Sequence, residues 1–407
     1  MLNGIGRLLL PALLAALAVA AEPRFYTYIG DLGAEHVLLA WGTAEGRKEN
    51  TIGRDSSPHG EATVRLNGER RVSGRNWVEI EGLRPDTEYP YSVSIGGRQI
   101  GAGTVRTHPR QARRLDFFVL GDYGNASAGQ YAVARAMREE FARLKAAGRP
   151  VRFVVTVGDN IYADTFLGLP LPRRTGRHDR DWADKHFEPY EDLLREAPFY
   201  MTLGNHDGKE SEMAADLPVQ LDNFFFPGNR PARYYSFGFG GFVDLFALDT
   251  TRNTGEPLEV QARWLEEALK NSRAPWKLVI GHHPPYNAGP RHRGDRQRLR
   301  PLLDLIARHR VAAYFCGHEH NFQVSAPDTS LAPAVMFLTG AGGELRRGDA
   351  RAGMARERIA AWAAAHHFLH VAIENETMRV MPLGAAPVRP VDAQGRPVAL
   401  PFTVQQP

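Results

Sequence analysis

The 407-residue chain has one cysteine, Cys316, and six lysines, and after its first 21 residues no apolar run reaches 18 residues. A single thiol excludes an internal disulfide and any zinc site built from several thiolates. The lack of a long apolar run excludes a second membrane span. There is no dense Lys/Arg tract of the kind that tracks a nucleic-acid backbone, and 50 basic residues against 46 acidic ones leave a net charge of only +4. Of the basic residues 44 are arginines, a skew with no functional assignment of its own. At 43% hydrophobic and 24% charged residues, wholesale disorder is excluded as well.

Residues 1–21 place Arg7 before an apolar run from Leu8 to Ala21 that ends in small residues, the layout of a secretory signal peptide. The alternative is an uncleaved anchor, but 14 residues interrupted by Pro11 are short for a ~30 Å hydrocarbon layer. The expected product is a secreted or periplasmic protein with no stable membrane insertion. Residues 22–108 show short alternating runs (Val37, Leu39 and Trp41; Trp77 to Ile80; Tyr91 to Ile95) punctuated by turn residues, which predicts an antiparallel β-sandwich. From 113 to 407 apolar strand-like runs alternate with amphipathic stretches at Gln130–Ala146, Glu259–Asn271 and Arg298–His309, which predicts an α/β domain with buried sheets. Residues after Ala365 turn strand-like again.

Five apolar runs end in glycine followed at once by a side chain able to ligate a metal. The sequences are Gly121-Asp122-Tyr123-Gly124, Gly158-Asp159-Asn160-Ile161-Tyr162, Gly204-Asn205-His206, Gly281-His282-His283 and Gly317-His318-Glu319-His320. Ligand sites in open α/β sheets lie beyond the carboxyl ends of strands. If these strands are neighbours, carboxylates, a phenol, an amide oxygen and imidazoles converge on one crevice. That donor set suits Fe, Zn or Mn, and it exceeds what one ion needs. Any one of these turns alone is weak; the five in order are specific.

The ordered set Gly-Asp-x-Gly, Gly-Asp-x-x-Tyr, Gly-Asn-His, Val-x-x-His and Gly-His-x-His, from Gly121 to His320, resembles the purple acid phosphatases among the calcineurin-like metallophosphoesterases. Leu83-x-Pro85-x-Thr87-x-Tyr89 is similar to the tyrosine corner of fibronectin type III domains. The resemblance implies a multidomain α/β (α+β) protein, an N-terminal sandwich followed by an αββα metallophosphoesterase sandwich. It implies Fe(III) held by Asp122, Tyr162 and His320, and a second metal (Fe, Zn or Mn) held by Asn205, His282 and His318. Asp159 bridges the two. His206 is expected beside the phosphate or leaving group, and a second outer histidine is expected at His292, with His283 the alternative. The implied activity is hydrolysis of a small phosphate monoester at acidic pH, by in-line attack of hydroxide formed at the dinuclear centre.

A phosphodiesterase or nucleotide phosphohydrolase using the same metals is the near rival, and a non-catalytic binding protein the distant one. Gly340-Ala341-Gly342-Gly343 resembles a loop that borders the family's site. Cys316 reads as a small buried hydrophobe, and His366, His367 and His370 as histidines outside the site. The sequence is silent on oligomeric state.

Overall fold

The computed structural model describes residues 23–44, 52–54, 56–162, 182–207, 224–252 and 257–407, and the backbone alone of a short hairpin, Thr165–Phe166 with Leu169–Pro170. The leader expectation at residues 1–21 lies outside them. Seven antiparallel strands come first: β1 (Phe25–Leu32), β2 (His36–Thr43), β3 (Ala62–Leu66), β4 (Glu69–Ser73), β5 (Trp77–Glu81), β6 (Glu88–Ile95) and β7 (Arg98–Arg106). They form a three-stranded sheet, β1-β2-β5, and a four-stranded one, β4-β3-β6-β7. Tyr89 closes a tyrosine corner, its hydroxyl accepting from the Arg84 backbone N–H at 2.8 Å.

Alternation along β2 has a different meaning from the half-exposed pattern the sequence predicts. Val37, Leu39 and Trp41 enter the sandwich core, while Leu38 and Ala40 enter the core of the second domain. Both faces of β1 and β2 are therefore buried. Tyr28 packs on Phe187 and Phe225 at 5.2 and 6.0 Å. Buried Asp31 accepts from the Tyr200 hydroxyl at 3.0 Å and the Gly228 N–H at 2.9 Å. The sandwich is thus packed onto the second domain rather than tethered to it.

That domain begins with β8 (Arg114–Leu120), α1 (Ala128–Ala146) and β9 (Val154–Thr156), followed by the hairpin β10–β11. A π-helical turn, Ala183–Phe187, leads into α2 (Glu188–Leu194). Then come β12 (Phe199–Tyr200), β13 (Tyr235–Phe239), β14 (Val243–Ala247), α3 (Leu258–Asn271), β15 (Trp276–Ile280) and α4 (Arg296–Arg308). The chain closes with β16 (Ala313–Cys316), β17 (Phe322–Ser325), β18 (Val335–Thr339), α5 (Arg351–Met354), β19 (Ile359–Ala363), β20 (Phe368–Glu374), β21 (Thr377–Leu383) and β22 (Phe402–Gln405). A six-stranded sheet runs β12-β9-β8-β20-β21-β22 and a seven-stranded sheet β13-β14-β15-β16-β18-β17-β19. Leu278, Ile280 and Phe315 point into the core shared with the first sheet; Val279, Tyr314 and Cys316 point at the core of α3 and α4. Helices outside two stacked sheets make an αββα sandwich, and strands buried on both faces explain the continuous apolar runs.

The five glycine-terminated runs are not neighbours in one sheet. β12, β9 and β8 are contiguous parallel strands of the first sheet, and β15 and β16 of the second. The crevice therefore lies across the ends of both. Phe199–Leu203 pairs only over Phe199–Tyr200, and beyond it the Thr202 N–H turns to Thr156 Oγ1 at 3.2 Å. Strands β13, β17 and β19 were not legible as strands. β13 and β19 are outermost and mix small residues with partial exposure, and β17 is a short return strand directly after His320.

Behind the first sheet, His370 Nε2 meets buried Asp116 at 2.9 Å and its Nδ1 meets Glu140 of α1 at 3.2 Å. Arg114 and Arg149 also pair with Asp116, and Arg143 with Glu140. Burial pushes the His370 pKa down, but its bonds to Asp116 and Glu140 more than reverse this and raise it above 6.5. A raised folded-state pKa contributes stability that is fully present below about 6.5 and lost as pH rises through the folded value. His370→Gln should therefore destabilise the protein by on the order of 1–3 kcal/mol at pH 5 and by less at pH 8. Denaturant melts at the two pH values measure this; an equal loss at both refutes the charged latch.

Candidate metal centre

The side chains predicted to ligate gather at the carboxyl ends of β8, β9, β12, β15 and β16. Three of them occupy left-handed backbone: Asp122 (φ 54°), Asp159 (φ 52°) and His318 (φ 72°). This conformation costs a non-glycine residue on the order of 1 kcal/mol and is characteristic of functional turns. The glycines make room. A Cβ on Gly317 would collide with Asp122 Oδ2, one on Gly204 with Asp159 Oδ1, and one on Gly158 would lie 2.6 Å from His282 Nδ1.

The donors form two groups. In the first, the Tyr162 hydroxyl lies 3.1 Å from Asp122 Oδ1, 3.1 Å from Asp159 Oδ2 and 3.2 Å from His320 Nε2. In the second, Asn205 Oδ1 lies 2.9 Å from His282 Nε2 and 2.8 Å from His318 Nδ1. Asp159 belongs to both, because its Oδ1 is 3.4 Å from His282 Nε2. Ligand atoms of Asp122, Asp159 and His282 all lie within 4.8 Å of one another.

The donor set fits cations rather than protons. The His282 Nδ1 is 2.8 Å from the Val157 carbonyl, which only accepts, so that nitrogen carries the hydrogen. Its Nε2 faces two further acceptors, Asn205 Oδ1 and Asp159 Oδ1, so in the metal-free protein that nitrogen is protonated as well and the imidazolium stands where a cation would. In the first group one phenolic hydrogen faces three acceptors. Asp122 and Asp159 are buried, and among the described residues no lysine or arginine pairs with either.

The apoprotein's titration carries the same frustration. Burial raises the Asp122 carboxyl well above its usual range, with Asp159 adding to it, whereas for Asp159 the His282 and His206 charges overcome burial and hold it well below. Burial pushes His282 down, but Asp159 and Asp122 carry it up to about 10. Burial raises Tyr162, reinforced by both carboxylates, and lowers His318 and His320, the last to about 3.

The three outer histidines also reach this site. His206 is exposed and packs on the Tyr162 ring with centroids 4.6 Å apart, and its backbone N–H donates to Asp159 Oδ1 at 2.8 Å. His283 and His292 both lie against His318, at 4.5 and 3.9 Å between centroids. His283 is buried with Nδ1 3.2 Å from Thr250 Oγ1, whereas His292 is half-buried. Gly340–Gly343 does border the site: the Gly343 and Glu344 N–H groups donate to the Asp122 carbonyl at 3.0 and 3.1 Å. Cys316 is fully buried in β16, which pushes its thiol up and away from reactivity. His367 bonds Thr339 and the Ala365 carbonyl, and His370 its latch, both away from the centre.

Sequence reasoning missed the supports. Asp207 accepts from Asn160 N at 2.8 Å, Ile161 N at 3.2 Å and Gly204 N at 2.8 Å, tying two of the turns together; its carboxyl is pushed up to about 7 by burial and by Asp159. Its place one residue after Asn205-His206 was the available signal. Thr250 Oγ1 accepts from the backbone of His282 and His283 and carried no signal at all. Lys185 donates to the Tyr162 carbonyl at 2.8 Å from the π-helical turn. Adding Zn(II) or Mn(II) to metal-depleted protein should raise its melting temperature by several degrees, since a ligand at about 100 times its Kd contributes about 2.7 kcal/mol. Asp159→Asn should lose most of that shift in thermal melts; equal shifts in the two proteins refute the cation site.

Known proteins are similar to this chain in sequence and in fold. Residues 115–322, half of the chain, match the calcineurin-like phosphoesterase family. Human tartrate-resistant acid phosphatase type 5 is 30% identical over 263 residues, 56% of this chain and 73% of that one. Purple acid phosphatase 17 of Arabidopsis thaliana is 29% identical over 258 residues, 58% of this chain and 70% of that one. In fold, a purple acid phosphatase from yellow lupin seeds superposes with a TM-score of 0.65 over 94% of this chain and 74% of its own, at 15% identity. The chain therefore belongs to the calcineurin-like phosphoesterase family, among the purple and tartrate-resistant acid phosphatases, hydrolases of phosphoric ester bonds.

Proposed function

We propose that the protein is an exported acid phosphatase that hydrolyses small phosphate monoesters at a dinuclear centre. Asp122, Tyr162 and His320 hold one ion, expected to be Fe(III), and Asn205, His282 and His318 hold a second, divalent one. The observation that carries this reading is Asp159, whose Oδ2 faces the first donor group and whose Oδ1 faces the second. Cations held by these residues would supply Lewis acidity toward a phosphoryl oxygen and would lower the pKa of water to ~7. Export rests on the leader pattern of residues 1–21; among the described residues no helix is long and apolar enough to cross a membrane. We read residues 22–108 as a fibronectin type III-like sandwich, on its strand pairing and tyrosine corner.

The residues around the donors supply proton transfer and placement. His206, exposed beside Tyr162, presents a proton to the leaving oxygen. His292, half-buried against His318, steadies charge building on the phosphoryl oxygens. His283 is held inward by Thr250 and backs His318 instead. The Val157 carbonyl and Thr250 fix the ring and backbone of His282, the kind of outer support that commonly changes metal affinity 10–100-fold.

Metal analysis and a visible spectrum of purified protein test the centre. Iron with a tyrosinate charge-transfer band that disappears in Tyr162→Phe is the expected result; stoichiometric iron in a colourless wild type contradicts the Tyr162 assignment. Asp159→Ala should abolish turnover of an aryl phosphate, and near-normal turnover would remove the bridge. His292→Ala should reduce kcat/KM by roughly 10²–10⁴, the usual range for an acid–base or charge-stabilising group. A larger loss in His283→Ala would exchange the two roles.

A further inference from the structure

Two segments that border the centre are rich in arginine. The segment between β15 and α4 places Arg291 and Arg293 on either side of His292, and the segment between β18 and α5 supplies Arg346 and Arg347. The two segments abut: a Cβ on Gly348 would stand 2.6 Å from Pro290 Cγ. Neighbouring arginines are committed locally, Arg298 to Asp295 at 2.5 Å, Arg351 to Asp349 at 2.6 Å, and Arg296 over the Tyr286 ring at 5.1 Å. Arg291, Arg293 and Arg347 are exposed, and among the described residues none of them makes a hydrogen bond or ion pair.

A single buried carboxylate organises this rim. Glu319, fully buried between His318 and His320, takes Arg346 at 3.1 Å with Oε1 and the His292 N–H at 2.8 Å with Oε2. Arg346 in turn donates its backbone N–H to the His320 carbonyl at 2.8 Å. Both arginine-bearing segments are thereby fastened to the turn that holds His318 and His320. The other acid here, Glu344, accepts from Asn125 Nδ2 at 2.9 Å. With Arg346 neutralised by Glu319, the exposed Arg291, Arg293 and Arg347 outnumber the one further acid named here, Glu344, and leave the rim cationic. A multivalent anion complements that charge, and the guanidinium fork matches phosphate geometry.

We propose that this rim is a subsite for a second phosphate group, so that the preferred substrates are phosphate esters carrying more than one phosphate. The proposal rests on the phosphoesterase reading of the metal centre, with the scissile phosphate at the metals and the other at Arg291, Arg293 and Arg347, on segments that Arg346 and Glu319 fasten in place. Steady-state kinetics of the metal-loaded, full-length protein on p-nitrophenyl phosphate and on a sugar bisphosphate test it. The ratio of kcat/KM for the bisphosphate to that for the aryl ester should fall roughly tenfold in the combined Arg291→Ala, Arg293→Ala, Arg347→Ala variant, mainly through KM. Lysine at the same three positions should restore much of the ratio, because the charge returns. In the wild type the ratio should also fall as salt rises from about 0.05 to about 0.5 M, a readout that does not depend on any variant folding. A ratio indifferent to both substitution and salt, with the aryl ester still hydrolysed, overturns the subsite and leaves the phosphatase reading standing. No turnover of either ester by the metal-loaded wild type removes both.

Discussion

Two buried carboxylates without a lysine or arginine partner among the described residues set the terms for the catalytic half of this protein. Burying an ionised carboxylate is costly unless a cation or several donors compensate. At Asp122 compensation comes from the His318 backbone N–H, 3.1 Å from each oxygen, and at Asp159 from the His206 N–H. The remaining compensation in the metal-free protein is the His282 ring, which the two carboxylates hold protonated, and the single hydroxyl hydrogen of Tyr162. One imidazolium against two buried carboxylates leaves a negative balance that divalent or trivalent ions would satisfy. Metal binding and folding should be linked for this reason, in a chain that has no disulfide to add stability.

Concentrating acceptors this tightly demands unusual backbone. Each ligand segment leaves its strand through a sharp turn, and three put a non-glycine residue in left-handed space. The neighbouring glycines matter for clearance, since side chains at 158, 204 and 317 would occupy the volume of His282, Asp159 and Asp122. Supports then immobilise the turns from outside: Asp207 between the second and third, Thr250 beneath the fourth, Glu319 within the fifth. The strain and the supports belong together, because a strained turn persists only where its surroundings over-determine it.

The turns proposed to bear ligands could be picked out because metal chemistry restricts residue type at fixed offsets from strand ends. The buried sheets of an α/β domain were legible because doubly buried strands read as continuous apolar runs, whereas the αββα layering was implied by the family resemblance. What escaped was what one-dimensional pattern does not encode. The five strand ends belong to two sheets, a fact of topology that no local window contains. β19, with the sequence IAAWA, alternates in burial, yet alanine gives that alternation almost no hydrophobic contrast. Thr250, a small hydroxyl after β14, acquires its role only when β14 and β15 pair in parallel and bring it beneath His282. Glu319 was visible only as the spacer of His318-x-His320, whereas its work is to fasten loops distant in sequence.

The same limit applies to the N-terminal sandwich, for which the sequence predicts strands and a tyrosine corner but no relation to the second domain. Its β1–β2 sheet is buried on both faces, so this module cannot be peeled away without exposing Tyr26, Tyr28, Leu38 and Ala40. Tyr26 and Tyr28 pack on Phe187, at 5.5 and 5.2 Å between centroids. Phe187 ends the π-helical turn whose Lys185 donates to the Tyr162 carbonyl. A continuous packed route therefore runs from the sandwich face through one helical turn to the backbone of a predicted iron ligand. Closely packed interiors transmit displacement rather than absorb it, so the sandwich is part of what holds Tyr162 in place.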